Sequence, residues 1–159
     1  MIKQLGFDFD AEDYHAVANE YIGAYNSRRF QCKLRTGALE TLQSVRYAGL
    51  SQSILSAYHQ KLLEEVIDYF GISSYFEHLF GLNDYYANGK ADIGKELINE
   101  LEIDADLALL VGDTIHDHEV AKEIGCDCVL IDGGHQSKQR LQTCGVQVLD
   151  SIEQVVQNI

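Results

Sequence analysis

The chain has 159 residues, 46% of them hydrophobic, a length that suits one domain with a sizeable buried core. Its 25 acidic and 12 basic residues give a formal net charge of −13, which disfavours nucleic acid or an anionic membrane as a partner. There is no apolar run long enough to span a bilayer and no signal-peptide pattern at the N-terminus, so we expect a cytoplasmic protein.

The first segment, residues 1–34, is predicted to hold a helix and a connector. Asp10 and Asp13 form a local N-cap pattern before this helix. Apolar and aromatic residues then repeat at helical spacing and predict one aromatic-rich face. They are Tyr14, Val17, Ala18, Tyr21, Ile22 and Tyr25. A kinked connector follows near residues 28–35, and we place the domain boundary near Leu34.

The second segment, residues 35–159, alternates predicted helices and strands. Helices are predicted near residues 37–47, 59–70, 91–102, 116–124, 137–143 and 151–158. Strands are predicted near residues 52–56, 78–81, 107–111, 127–131 and 146–149. In the first of these helices, Leu39, Leu42 and Val45 are expected on the buried face. The alternation predicts an α/β fold with a Rossmann-like, doubly wound parallel sheet.

Two aspartates, Asp113 and Asp117, follow the predicted strand 107–111 at a Gly-Asp turn. Ligands bind at the carboxyl ends of the strands in open α/β sheets, and two carboxylates there suit Mg²⁺. Considered singly, each aspartate has a simpler interpretation: Asp113 as a helix cap and Asp117 as a solvated acidic residue in the first helical turn. The pair becomes specific only together with other groups upstream.

Two such groups are Ser56 and Lys90. Ser56 ends a short apolar strand and can donate its hydroxyl to an anion, together with the amides of the next helix. Lys90 precedes a helix and offers a point charge for phosphate. Taken singly, Ser56 is more often an N-cap and Lys90 a surface lysine.

In chain order, this hydroxyl, lysine and aspartate pair resemble the second, third and fourth motifs of the haloacid dehalogenase (HAD) superfamily, especially its phosphoglycolate-phosphatase-like members. The resemblance covers about residues 35–159. It implies that Ser56 and Lys90 are catalytic residues that hold the phosphoryl group. It also implies that Asp113 ligates Mg²⁺ and that Asp117 completes or orients the metal's shell.

The resemblance further implies hydrolysis of a small phosphorylated metabolite through an aspartyl-phosphate. The family's first motif is an apolar strand that ends in Asp-x-Asp, and Asp8 with Asp10 supplies that spacing. The residues after Asp10 lack the small turn residue and hydroxyl of the motif, and the run before Asp8 contains polar residues and a glycine.

We therefore favour a second interpretation of the first segment. Residues 1–34 resemble a remnant of the family's helical cap, and the chain then begins inside a larger enzyme without its nucleophile. The alternative function is a catalytically incompetent chain or subunit that keeps only the phosphate and metal pocket. In this superfamily cap residues choose the substrate, so the substrate stays open.

A missing first motif has a structural consequence, because that strand lies between the strands ending at Ser56 and before Asp113. Leaving six to ten backbone groups unpaired costs on the order of 10 kcal/mol, similar to the total stability of a domain. Three repairs are open: residues 2–9 act as a substitute strand, the two flanking strands pair directly, or chains exchange strands.

The cysteines and histidines carry weaker signals. Cys126 and Cys128 alternate within an apolar run, and no Cys-x-x-Cys spacing occurs, so reduced buried thiols are favoured over zinc or disulfides. His116 and His118 flank Asp117 but fit exposed positions of a first helical turn. His59 is either a pocket residue or a helix-surface histidine. A homo-oligomer stays open, since the aromatic face of the first helix would need a cover.

Overall fold

The computed structural model describes residues 13–83 and 89–157. The chain divides into two compact units, Met1–Lys33 and Leu34–Ile159. The predicted Asp8 and Asp10 motif, and residues 2–9 as a substitute strand, lie outside the described residues.

The first unit contains helix α1, Tyr14–Arg28, followed by the 3₁₀ helix Arg29–Gln31. On the predicted aromatic face, Tyr21 and Tyr25 are 63% and 58% exposed. The 3₁₀ helix is tied back to α1, because Arg29 Nη1 donates to the Asn26 carbonyl at 2.8 Å. The Arg29 guanidinium also stacks 4.3 Å from the centre of the Phe30 ring.

The second unit alternates helices and parallel strands, which confirms the predicted α/β class. Its strands are β1 Ser53–His59, β2 His78–Leu82, β3 Leu109–Gly112, β4 Asp127–Ile131 and β5 Gln147–Leu149. Its α-helices are α2 Ala38–Tyr47, α3 Gln60–Tyr69, α4 Lys90–Leu101, α5 Ile115–Ile124 and α6 Lys138–Leu141. The described part of this unit also contains four short 3₁₀ helices: Ser73–Tyr75, Ala105–Leu107, Gln142–Cys144 and Ile152–Gln157.

Among the described residues the strands form two sheets. One sheet pairs β1 with β2 in parallel, with Ile54 opposite Leu79. The other has the order β3-β4-β5, also parallel, with Val111 opposite Val129. Because β1 and β3 belong to different sheets, the hypothesis that these two flanking strands pair directly is wrong for the described part of the chain.

Each sheet has its own apolar cluster. Leu63, Ile67 and Ile72 are buried beside the β1-β2 sheet, with Ile54 and Leu79 packed against them. The cluster beside the β3-β4-β5 sheet consists of Val129, Ile131, Leu149 and Val155, with Leu109 and Ile152 packed against it. Helix α3 and strand β4 each present a continuous apolar face, and each buries that face in one of these clusters.

Helix α4 packs closely against strand β1 and helix α5 at Gly94. A Cβ on the buried Gly94 would stand 3.0 Å from Leu55 Cδ2 and 3.1 Å from Ile124 Cγ1. Glycine therefore allows α4 to approach both neighbours closely. Through this contact α4 joins the side of the fold that carries β1 to the side that carries β3 and α5.

Several predicted boundaries differ from the structure for identifiable reasons. Leu107 lies in a 3₁₀ helix and is 75% exposed, so the third strand begins two residues later than predicted. Leu39 is 40% exposed, and α2 instead buries Thr41. The last predicted helix is a 3₁₀ helix, Ile152–Gln157. No helix in the described ranges has both the length and the apolar character needed to cross a membrane.

Candidate functional site

The centre of the candidate site is an ion pair between Lys90 and Asp117. Lys90 is the first residue of α4, and Asp117 lies in the first turn of α5. The Lys90 Nζ is 2.5 Å from Asp117 Oδ1, and the two side chains are only 14% and 9% exposed. Two predicted site residues that stand 27 positions apart are thus brought into direct contact.

The other oxygen of Asp117 is fully occupied by the turn that precedes α5. Oδ2 accepts the backbone N–H of Asp113 at 3.1 Å, the backbone N–H of Thr114 at 3.0 Å and the Thr114 hydroxyl at 2.7 Å. In return, the Asp117 N–H donates to Thr114 Oγ1 at 3.1 Å. This reciprocal pattern is a capping box, in which the N-cap and the third helical residue satisfy each other's free amides.

These contacts keep Asp117 ionised. Burial alone disfavours its charged form, but hydrogen bonds from Lys90 and Thr114, together with the ammonium charge, outweigh burial and hold the pKa below its ordinary value of 3.8. Oδ2 has three donors and Oδ1 has the Lys90 ammonium, an arrangement that fits the orienting role expected for Asp117.

Gly112 makes this folded-back carboxylate possible. A Cβ at Gly112 would stand 2.6 Å from Asp117 Cγ and 2.7 Å from Asp117 Oδ2, closer than real atoms approach. The glycine of the Gly-Asp turn is therefore required by the side chain that packs over it rather than by a ligand.

Asp113 is the carboxylate that stays available. It follows β3 directly and is half-buried. Its backbone N–H binds Asp117, but its own carboxylate receives no hydrogen bond from the residues that the structure describes. The carboxylate instead lies against Gly134, in the loop that follows β4. The N-cap of α5 is Thr114, so the interpretation of Asp113 as a helix cap is wrong.

Ser56 has a different setting from the one predicted. Strand β1 does not end at Ser56 but continues to His59, with an irregular register between Leu55 and His59. Ser56 Oγ accepts the Tyr58 N–H at 3.1 Å, and α3 begins only at Gln60. The amides of the α3 N-terminus therefore do not adjoin Ser56 in sequence, although its O–H can still donate.

Topology relates Ser56 to the other three residues. Hydrogen bonds within the described ranges join Lys90, Asp113 and Asp117 but do not extend to Ser56. In a parallel β-α-β arrangement, a helix begins at the edge where the preceding strand ends. Lys90 begins α4, the helix that follows β2, and Ser56 is the middle residue of β1, the parallel neighbour of β2.

The donor set fits a hard divalent cation through Asp113. Carboxylate oxygens are suitable ligands, and Mg²⁺ often binds through one or two carboxylates while it keeps several waters. Residues 13–83 and 89–157 contain no cluster of three or more metal-binding side chains. His116, which the sequence placed in an exposed first turn, pairs with Glu119 on the surface, at 3.4 Å.

Three supporting residues were missed from the sequence. Thr114 had a readable signal, because Thr-x-x-Asp before a helix is a capping-box pattern. Gln136 Oε1 accepts the Ile115 N–H at 3.0 Å, and Gly134 lies against Asp113. Neither contact has a local sequence signal, since each joins residues about 20 positions apart.

Solved structures share this fold. The chain aligns over 99% of its length with a predicted phosphatase from Clostridium acetobutylicum, at 20% identity and a TM-score of 0.84. It aligns over 86% with a predicted phosphoglycolate phosphatase from Haemophilus somnus, at 18% identity and a TM-score of 0.74. A haloacid dehalogenase-like family protein from Streptococcus pneumoniae matches 94% of the chain, at 16% identity and a TM-score of 0.81. These alignments span 73%, 62% and 72% of the three structures.

At these identities the likeness establishes a common fold, and the predicted Rossmann-like core is confirmed. No curated protein sequence matches the chain. The sequence profile of the family described as "Haloacid dehalogenase-like hydrolase" matches residues 1–131. Because that match covers most of the 159 residues, the chain belongs to the haloacid dehalogenase-like hydrolase family, as its motifs predict.

Proposed function

We propose that this chain is a magnesium-dependent hydrolase of small phosphomonoesters, which binds the phosphoryl group beside Lys90 and Asp113. The observation that carries the proposal is the Lys90 ammonium held 2.5 Å from Asp117, in the same turn that presents Asp113. A buried, immobilised lysine next to an available carboxylate is an arrangement suited to a metal-bound phosphate. Two of the similar solved structures are a predicted phosphatase and a predicted phosphoglycolate phosphatase, which supports the same reaction class.

The charges of this turn suggest that a cation binds before the substrate does. Lys90 is balanced by Asp117, and within the described ranges no ion pair compensates the negative charge of Asp113. The whole chain carries −13, so a phosphate dianion is repelled at long range and at the site. A divalent cation at Asp113 would reverse the sign of the local charge and would polarise the phosphoryl oxygens.

The residues of this chain then have separable roles. Asp113 would hold the cation, and the Lys90 ammonium would bind a phosphoryl oxygen as a fixed donor. Asp117 positions the Lys90 ammonium, while the Ser56 hydroxyl would donate to a second phosphoryl oxygen. In the family the first motif supplies the aspartate that attacks phosphorus, and Asp8 is the candidate by spacing.

One observation favours a second candidate, a chain that binds phosphate and metal without hydrolysis. Within residues 13–83 and 89–157, Asp117 is the carboxylate that contacts Lys90, and both of its oxygens are already engaged. A second carboxylate within reach of phosphorus is needed for an aspartyl-phosphate. Asp8, the candidate for that carboxylate by spacing, lies outside the described residues, so experiment must separate the two candidates.

Hydrolysis of p-nitrophenyl phosphate with Mg²⁺ separates the two candidates. If the chain is an enzyme, we expect turnover that is lost in both Asp8→Asn and Asp113→Asn. The binding candidate expects no turnover in any variant, but Mg²⁺-dependent binding of inorganic phosphate by calorimetry, which Lys90→Met weakens. Absence of both turnover and phosphate binding would refute the proposed function.

The partners of the chain are also proposals. We expect a small phosphorylated metabolite as ligand, because the acidic surface does not favour nucleic acid or an anionic membrane. A cytoplasmic location and a homo-oligomer stay predictions, which fractionation and light scattering would test.

A further inference from the structure

The loop Asp132–Gly134, which follows β4, lies directly against the candidate metal ligand. It begins where the Asp132 N–H donates to the Leu149 carbonyl at 2.9 Å, and Gly133 adopts φ +84°. Its last residue, Gly134, contacts the Asp113 carboxylate. The resemblance to the family implies no role for this loop.

Gly134 is small because of Asp113 and not because of its own backbone. A Cβ at Gly134 would overlap the Asp113 carboxylate, at 2.7 Å from Cγ and 2.8 Å from Cβ. Gly134 is not among the glycines with positive φ, so alanine is compatible with its backbone. Any side chain at position 134 must therefore displace the Asp113 carboxylate or the loop.

Arg35 holds the same loop from its other side. One guanidinium nitrogen of Arg35 donates to the Asp132 carbonyl, across 97 positions of sequence. The same nitrogen stands 3.0 Å from the place where a Cβ on Gly133 would lie. Arg35 is itself anchored at the start of α2, where its carbonyl accepts the Ala38 N–H at 3.0 Å.

Gln136, two residues beyond Gly134, ties the loop to the turn that carries Asp113. Its Oε1 accepts the Ile115 N–H at 3.0 Å, a first-turn amide of α5 that a helix leaves unpaired. The loop is thus bound by Arg35 near its start and to α5 just after its end. Between these two hydrogen bonds, the backbone of Gly134 packs against the Asp113 carboxylate and limits its movement on that side.

We propose that Arg35 and Gly134 are positioning residues that fix the Asp113 carboxylate. Gly134 is the surface against which the carboxylate rests, and Arg35 keeps that surface in place. The consequence for cation affinity rests on the proposed function, whereas the contact between position 134 and Asp113 does not. The two claims are tested by separate measurements.

The first measurement is binding of Mn²⁺, as a paramagnetic substitute for Mg²⁺, followed by electron paramagnetic resonance without substrate. Residues that orient a metal ligand typically change metal affinity by 10- to 100-fold when replaced, so we expect about tenfold weaker binding in Gly134→Ala and in Arg35→Met. Arg35→Lys, which keeps a charged donor, should recover part of the affinity.

Arg46→Met is the matched control for Arg35. Arg46 also donates to a distant backbone carbonyl, that of Ser74 in a 3₁₀ helix, and stacks 4.3 Å from the centre of the Tyr75 ring, but it lies outside the site. We expect unchanged Mn²⁺ affinity in this variant. Equal losses in Arg35→Met and Arg46→Met would overturn the positioning role of Arg35, because the effect would then be general.

The second measurement is a double-mutant cycle on thermal stability that needs no metal. Gly134→Ala should lower the melting temperature in the unaltered chain and lower it less in an Asp113→Ala background, where the carboxylate is gone. Additive shifts would overturn the proposed contact. Absence of Mn²⁺ binding by the unaltered chain would refute the cation assignment of the proposed function, and the cycle alone would then decide the positioning claim.

Discussion

Lys90 Nζ and Asp117 Oδ1 stand 2.5 Å apart, and each belongs to the first turn of a different helix. This contact joins α4 to α5 at the edge where strand β3 ends. Lysine and aspartate side chains are usually solvated, but in this pair they are only 14% and 9% exposed. Breaking such a pair leaves a charge without its counterion in a site that water enters poorly.

We expect Lys90→Met to lower the free energy of unfolding by about 3 kcal/mol, near the lower end for buried pairs, because Asp117 keeps its other donors. Urea unfolding followed by circular dichroism measures this change. Lys95→Met is the control: Lys95 lies 3.9 Å from Glu123, both side chains are at least half exposed, and about 0.5 kcal/mol or less is expected. Similar losses in both variants would contradict the expected difference between the buried and the exposed ion pair.

The lowered pKa of Asp117 predicts a specific dependence of stability on pH. A carboxyl whose pKa is lower in the folded state stabilises the fold above its ordinary value of 3.8 and loses that contribution as pH falls through the lowered pKa. The difference in stability between the unaltered chain and Asp117→Asn should therefore be largest near neutral pH and shrink below about pH 3.8. A difference that grows with acidity would contradict this sign.

Thr114 should contribute to stability through its hydroxyl alone. Thr114→Ala removes the N-cap acceptor of the Asp117 N–H and one donor to Asp117 Oδ2, and we expect a loss of about 1–2 kcal/mol. Thr114→Ser keeps the hydroxyl and should retain most of the stability. Thermal unfolding of both variants tests the role of the capping box, and equal losses would assign the effect to packing of the methyl group.

Gly94 should tolerate no added carbon. We expect Gly94→Ala to lower the free energy of unfolding by about 1–3 kcal/mol, since its Cβ would meet Leu55 and Ile124. Gly23→Ala is the matched control, because Gly23 lies within α1 with open space around it. In that helix alanine should be neutral or stabilising by about 0.5–1 kcal/mol. Calorimetry of both variants measures the contrast.

Cys128 should resist alkylation in the folded chain. Burial raises its pKa to about 12, and the neighbouring Cys126 and Asp117 add to the effect. At pH 8 the thiol is then almost wholly protonated, and the thiolate is the reactive form. We expect iodoacetamide, followed by mass spectrometry, to modify the exposed Cys32 first and Cys128 much more slowly. In urea the two rates should converge.

The sequence by itself determined the alternation of helices and strands and the position of its most specific motif. The strand 127–131 was predicted with its observed limits, because Cys128 to Ile131 is a continuous apolar run between an acidic residue and a Gly-rich turn. The start of α5 was predicted within one residue. Such features depend on neighbours within one or two helical turns, so local patterns suffice to find them.

Tertiary structure alone decided which distant groups meet. The separation of the described strands into two sheets, the extension of β1 past Ser56 and the contact of Gly134 with Asp113 have no periodic signature. The sequence selected Lys90 and Asp117 but did not show that they form an ion pair, so that of the two aspartates Asp113 is the one whose carboxylate has no hydrogen-bond donor among the described residues. These outcomes depend on close packing of segments far apart in the chain, where a contact of a single carbon atom is decisive.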